Sequence, residues 1–385
     1  MKSNEKNMTA AVFMISFALM MRQLSMSIVA PFLSPYCRTL AGYTPLTAGL
    51  VLGIFGLMQA VFQTPFGMLS DRYGNKRILL AGLLITTAGL LLAWRAHTIY
   101  LLVFARALQG CGAITGVGFA WTACLSPSGK KTKSMGILSF MVSAGSSIAF
   151  ILGPVLRKFM EVNRIFLVCA CAVAVVASYI LFFVPDAEKK CTTEKKESFG
   201  ILILLKNRQF MTVSFSAFLN NFMMMSVFFA LPLYLTTLIP ETELWLIFLP
   251  AVVAAFFAMK TAVYFTSRGC SKPVVTMAFS LSTVSILLFL YNGSLPVLVA
   301  GTVLFFASYS SLIAVIASEV NATVSDAVRG TANGMFNSLQ FFGSFLGAVC
   351  IGFIWQFSQK AAFIPAICAG IAGIVVSLSV CPVKK

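Results

Sequence analysis

The chain has 385 residues, of which 59% are hydrophobic and only 10% are charged, and its mean hydropathy is +0.93. Soluble domains carry about 25% charged residues. The composition therefore excludes a soluble enzyme, a disordered chain and, despite the net charge of +17, a nucleic-acid-binding protein.

Twelve apolar runs are long enough to cross a bilayer as helices, which takes about 20 residues. They lie at 9–31, 46–67, 78–94, 99–125, 135–156, 165–185, 209–237, 244–266, 274–291, 295–319, 332–355 and 361–381. Membrane barrels are excluded because their strands alternate in polarity over only about 10 residues. The first run is too long for a signal peptide and contains Arg22, so we expect a retained helix.

The basic residues divide unevenly between the two sets of loops. The termini and the loops on their side hold 19 Lys and Arg, the opposite loops hold 6, and the spans hold 3. We call the first set the basic side. Because Lys and Arg accumulate on the cytoplasmic side of a membrane, we predict a multi-pass protein of the cell inner membrane with both termini in the cytoplasm.

The longest polar segment, 186–198, follows the sixth run and separates two sets of six. The predicted domains are an N-terminal six-helix bundle at 1–185, a linker with a short interfacial helix at 186–208, and a C-terminal six-helix bundle at 209–385.

Parts of the two halves are alike in sequence. Gly145-Ser146 in span five recurs as Gly343-Ser344 in span eleven, 198 residues later, and Pro31 resembles Pro232 at an offset of 201. Repeats of six helices are typical of secondary transporters, whose substrate site lies between the repeats near the middle of the membrane.

A polar motif, GMLSDRYGNKR at 67–77, follows span two. Gly67 and Gly74 permit a tight reversal and a close helix approach, and Asp71 can reach the positive end of a neighbouring helix. Small residues on one face of span two also let a second helix pack backbone to backbone. They are Gly49, Gly53, Gly56, Ala60 and Gly67. We expect a gate here, and the alternative is a tight turn flanked by cations that only set topology.

Charged residues inside spans are expensive and are functional candidates by default. Arg22 lies in span one, and Arg106 lies in span four with Gln109 and Gly110. They bind backbone carbonyls, water or an anionic substrate group, or they are structural arginines held by carbonyls and nearby glutamines. Glu319, at the basic end of span ten, is either a proton carrier or an interfacial residue.

Polar residues also interrupt two spans of the C-terminal half. Asn220 and Asn221 lie within span seven, and Asn337 and Gln340 belong to a polar stripe along span eleven. These side chains either line a substrate cavity or hydrogen-bond between helices.

The motif at 67–77 closely resembles the signature G-x-L-x-D-R-x-G-x-K/R-x of the major facilitator superfamily. RALQGCGA at 106–113 is similar to the R-x-x-Q-G-x-G-A motif of its proton-linked branches. Gly153-Pro154 resembles the antiporter motif G-x-x-x-G-P-x-x-G-G, although Arg157 and Lys158 replace its final glycines. The resemblance covers the whole chain and looks closest to bacterial drug/proton antiporter-like exporters.

That resemblance implies an all-α membrane fold with 12 transmembrane helices in two pseudo-symmetric six-helix bundles. It also implies that Asp71 contacts span eleven and holds the cytoplasmic side shut, and that Arg106 acts in coupling. The expected gating and coupling residues are Gly67, Asp71, Arg72, Gly74, Arg77, Arg106, Gln109, Gly110 and Glu319. The expected substrate-cavity residues are Arg22, Asn220, Asn221, Asn337 and Gln340.

We therefore expect a secondary active transporter that works by alternating access and exports small amphipathic molecules or drugs, with protons as the coupling ion. One alternative is an organic-anion transporter that uses Arg22 and Arg106, and another is a membrane receptor or scaffold that does not transport. We expect a monomer in the lipid bilayer, with no enzymatic activity, cofactor, metal or nucleic-acid partner. The sequence has a single histidine, His97, no P-loop and no CxxC pair.

Overall fold

The computed structural model describes residues 2–126, 131–184, 199–291, 294–324 and 329–378. These ranges contain fifteen α-helices. They are α1 Lys2–Ser27, α2 Leu33–Cys37, α3 Pro45–Tyr73, α4 Asn75–Trp94, α5 Ile99–Cys111, α6 Thr115–Leu125, α7 Lys131–Phe159, α8 Val162–Phe183, α9 Phe199–Lys206, α10 Arg208–Leu235, α11 Trp245–Ser267, α12 Ser271–Leu290, α13 Leu295–Thr323, α14 Arg329–Trp355 and α15 Ile364–Leu378. The polar part of the predicted linker, 186–198, lies outside the described residues.

Twelve helical stretches in the described ranges are long and apolar enough to cross a membrane, and they coincide with the twelve predicted runs. The largest differences are at the first two, which extend to Cys37 and Tyr73. The predicted all-α fold with twelve spans is confirmed. A short helix, α9, lies at Phe199–Lys206, within the predicted linker 186–208.

Two spans differ locally from the prediction. The second helix continues to Tyr73, so most of the motif expected in a loop is helical, and Gly74 alone separates α3 from α4. The fourth span is not continuous, because α5 ends at Cys111 and α6 begins at Thr115. At this break Gly112 packs against the backbone carbonyl of Gly82, where a Cβ would come within 2.6 Å of that oxygen.

The first compact unit contains Met1–Ala30 and Met58–Lys195. In it α1 packs against α7 and α8, and α4 packs against α5 and α8. The contact between α1 and α7 is close, because a Cβ on Gly145 would lie 2.6 Å from the Met20 carbonyl oxygen. Absence of a side chain at this position therefore lets the two backbones meet.

The second compact unit contains Pro31–Leu57 and Lys196–Lys385. Here α10 packs against α14 and α15, and α12 packs against α13 and α15. Gly343 of α14 meets the carbonyl oxygen of Phe218 in α10. This pair lies 198 residues after Gly145 and Met20, so the same close contact occurs in both units and the predicted pseudo-symmetry of the bundles is confirmed.

The segment 31–57 packs within the second unit, although it belongs to the predicted N-terminal bundle. The glycine face of α3 explains this packing. A Cβ on Gly53 or Gly56 would lie 2.9 Å from the carbonyl oxygen of Phe345 or Phe341, both on α14. The small residues of span two thus make the predicted backbone contact in their first half.

Candidate functional site

The motif at 67–77 forms the end of α3, a one-residue reversal and the start of α4. Gly74 has a φ of +94°, a conformation that side chains disfavour. Asp71, Arg72 and Arg77 are exposed. A Cβ on Gly67 would meet no neighbouring atom within 4 Å. The motif therefore needs glycine for backbone conformation at Gly74, and the close helix approach of α3 lies elsewhere, at Gly49–Gly56.

Lys76 has a structural partner that sequence reasoning missed. Its Nζ donates to the carbonyl oxygens of Leu181, at 3.0 Å, and Val184, at 2.6 Å. These carbonyls belong to the last turn of α8 and to the residue directly after it, where the helix dipole favours a cation. The sequence showed Lys76 only as one of several topological charges, because the partner lies more than 100 residues away.

Arg106 and Gln109 form a buried network between α5 and α4. Arg106 Nη1 donates to Gln109 Oε1 at 2.8 Å, and Gln109 Nε2 donates to the Gly89 carbonyl oxygen at 3.1 Å. A Cβ on Gly89 would lie 2.8 Å from Gln109 Cγ. Gly110 is buried beside this network, next to the end of α5. The arrangement fixes the arginine in place, which fits a positioning role.

Arg22 is buried in a different way. Its side chain is 1% exposed, and its Nε and Nη2 have no hydrogen-bond partner among the described residues. The adjacent Gln23 does not hold it, because the Gln23 amide donates to Ser146 at 2.9 Å and to Ser27 at 3.3 Å. A buried cation without a partner is costly. Arg22 is therefore the stronger of the two arginines as a binding group.

The candidate cavity residues of the second unit have different surroundings. Asn220 is 1% exposed, and neither polar atom of its amide has a partner among the described residues. Asn221 donates to the Ala217 carbonyl oxygen of its own helix at 3.0 Å. Asn337 and Gln340 lie half-buried on α14. Asn220 thus retains free hydrogen-bonding capacity inside the unit.

Glu319 lies near the end of α13 and is 9% exposed. Its Oε2 is buried and has no hydrogen-bond partner among the described residues. The side chain lines a cavity of about 280 Å³ formed by residues of α11, α12 and α13. This carboxyl group is thus buried, unlike that of Asp71.

The chain is similar to known transport proteins along most of its length. Residues 15–348 match the model of the Major Facilitator Superfamily. The inner membrane transport protein YajR of Escherichia coli is 29% identical over 342 residues, which cover 87% of this chain and 75% of YajR. The quinolone resistance protein NorA of Staphylococcus aureus is 24% identical over an alignment of 391 positions, and the alignment covers 96% of each chain.

A solved structure supports the same fold. A mutant of the nucleoside transporter NupG superposes with a TM-score of 0.77 at 14% identity, covering 97% of this chain and 99% of that one. The predicted resemblance is confirmed, and the protein is a multi-pass membrane transporter. The chain belongs to the Major Facilitator Superfamily.

Proposed function

We propose that this transporter exports small amphipathic molecules by alternating access and that protons drive the export. The similarity to NorA, named as a quinolone resistance protein, supports drug-like cargo and outward transport. The observation that carries the coupling is the buried carboxyl group of Glu319, whose Oε2 has no partner among the described residues. Such a group can exchange a proton without first breaking a hydrogen bond at that oxygen.

The remaining parts of the proposal follow from charge and packing. Asp71, Arg72 and Arg77 act at the gate formed by the motif at 67–77. The Arg106–Gln109–Gly89 network couples movement of α5 to movement of α4. The excess of Lys and Arg supports cytoplasmic termini and residence in the inner membrane. We propose a monomer as the working unit.

Transport in proteoliposomes tests proton coupling. We expect an inside-acidic pH gradient to drive accumulation of a fluorescent quinolone, and a protonophore to abolish it. Glu319→Gln should lose the gradient-driven accumulation and keep quinolone exchange across the membrane. Glu243→Gln, an exposed acid of the same unit, is the matched control. Wild-type transport that ignores the pH gradient, or full gradient-driven accumulation by Glu319→Gln, would refute the coupling.

A second candidate function is transport of an organic anion, and Arg22 favours it. Its guanidinium offers two buried nitrogen donors, Nε and Nη2, that have no partner among the described residues. Charge-assisted hydrogen bonds from arginine to a carboxylate are strong and geometrically specific. If the cargo is anionic, Arg22→Gln should raise the KM for a carboxylate substrate by more than Arg22→Lys does. Equal uptake by both variants and the wild type would refute this alternative.

A further inference from the structure

The cavity beside Glu319 is built mainly from small and hydroxyl-bearing residues. It occupies about 280 Å³ in the second unit. Four hydroxyl residues line it together with the carboxyl group: Thr266, Ser267, Ser271 and Ser318. The other lining residues are small or aliphatic. The cavity thus combines one carboxyl group with neutral oxygen atoms.

The Thr266 hydroxyl gives this cavity an oxygen atom that can act as an acceptor. Thr266 Oγ1 donates to the Ala262 carbonyl oxygen and Ser267 Oγ donates to the Tyr264 carbonyl oxygen, each at 2.8 Å. The hydroxyl proton of Thr266 is therefore used within α11, and a lone pair of its oxygen remains for a ligand. Thr323 donates to the main-chain oxygen of Glu319, so it does not satisfy the carboxyl group.

Two nearby cations lie over aromatic rings, and neither is among the residues that line the cavity. Lys260 Nζ lies 4.5 Å from the centroid of the Phe256 ring, and Arg268 Cζ lies 4.4 Å from that of Tyr264. Lys272 lines a separate groove beside α12. Among the described residues, none of those that line the Glu319 cavity is Lys, Arg or His. A bound cation would supply the positive charge that complements the Glu319 carboxylate.

We propose that the Glu319 cavity binds a singly charged cation, either an alkali ion or a small primary ammonium group. One carboxylate with neutral hydroxyl oxygens supplies a single negative charge. Divalent cations such as Ca²⁺ recruit more oxygen ligands and often several carboxylates. The inference rests on the proposed function because the same carboxyl group carries the coupling proton, so that proton and cation compete for Glu319.

Thermal unfolding of the full-length protein in detergent tests this binding without any transport step. Tm is measured against Na⁺ or methylammonium at constant ionic strength, with N-methylglucamine as the replaced cation. A ligand that binds only the folded protein raises Tm saturably. We expect such a rise with Na⁺, methylammonium or both. A response to one probe identifies the class of ligand.

Substitutions assign the response to the cavity. Glu319→Gln should weaken the apparent affinity by about tenfold or more, because it removes a charged partner. Ser318→Ala should weaken it by about threefold, and Glu243→Gln should leave it unchanged. If Glu319→Gln does not fold, Ser318→Ala and Thr266→Val decide the question. Absence of a saturable rise in the wild type, or unchanged affinity in the cavity variants, would overturn the site.

The binding and transport experiments fail separately. Cation binding lost in Glu319→Gln, with no pH-driven transport by the wild type, refutes proton-driven export and retains the cation site. Proton-driven transport without any saturable cation response refutes the site and retains the proposed function.

Discussion

The candidate site residues fall into two groups, according to whether their buried polar atoms have hydrogen-bond partners. Arg106 donates to Gln109, and Lys76 donates to two carbonyls of α8. Arg22, Asn220 and Glu319 are buried with at least one polar atom that has no partner among the described residues. Because unsatisfied buried groups are costly, we assign the first group to positioning and the second to binding and coupling.

At the residue scale, the reversal after α3 depends on Gly74. Gly74→Ala should lower stability by about 1 kcal/mol, because a Cβ is disfavoured at φ +94°. Gly67→Ala is the control, since a Cβ there meets no neighbour within 4 Å. The measurement is Tm in detergent. An equal effect of both substitutions would contradict the assignment of the reversal to Gly74.

Gly89 lies in close contact with the Gln109 side chain, with no room for a side chain of its own. Gly89→Ala places a Cβ against Gln109 and displaces the acceptor of Arg106, so we expect a loss of about 1–3 kcal/mol in stability. Gly116→Ala introduces the same methyl group into open space. Thermal unfolding compares the two variants. A Gly89→Ala protein as stable as Gly116→Ala would show that the network tolerates repacking.

At the element scale, Lys76 joins the start of α4 to the end of α8. Lys76→Met should destabilise that last turn by about 0.5–2 kcal/mol and accelerate amide exchange near Val184. Arg77→Met is the control, because Arg77 is exposed. Hydrogen exchange followed by mass spectrometry resolves the effect. Unchanged protection of this turn in Lys76→Met would contradict the capping role.

The spans could be predicted from the sequence, whereas several contacts between helices could not. Hydropathy alone locates the spans, because a membrane helix needs a long apolar run whatever its neighbours are. It misses the break after Cys111, because the close packing of Gly112 on the Gly82 carbonyl is a tertiary contact. The motif identifies Arg106 and Gln109 as a pair. It cannot show that Gln109 binds the Gly89 carbonyl, or that Lys76 binds the carbonyls of Leu181 and Val184, because each pair is distant in sequence.

At the scale of the whole molecule, the repeat predicts that matched positions respond alike. Gly145→Ala and Gly343→Ala both place a Cβ against a carbonyl oxygen of the partner helix, so each should destabilise by about 1–3 kcal/mol. Gly136→Ala and Gly334→Ala, also 198 residues apart, are controls because a Cβ there meets nothing within 4 Å. Tm ranks the four variants. Loss of stability in only one of the first pair would contradict equivalent packing.

Proton-coupled export requires a proton flux that accompanies substrate movement, and this flux can be measured. Proteoliposomes that contain a trapped pH dye are given an outwardly directed quinolone gradient, with no imposed pH difference. We predict that substrate movement drives protons in the opposite direction in the wild type and in Glu243→Gln, and that this flux is lost in Glu319→Gln. Quinolone movement without any change of internal pH in the wild type would contradict proton coupling.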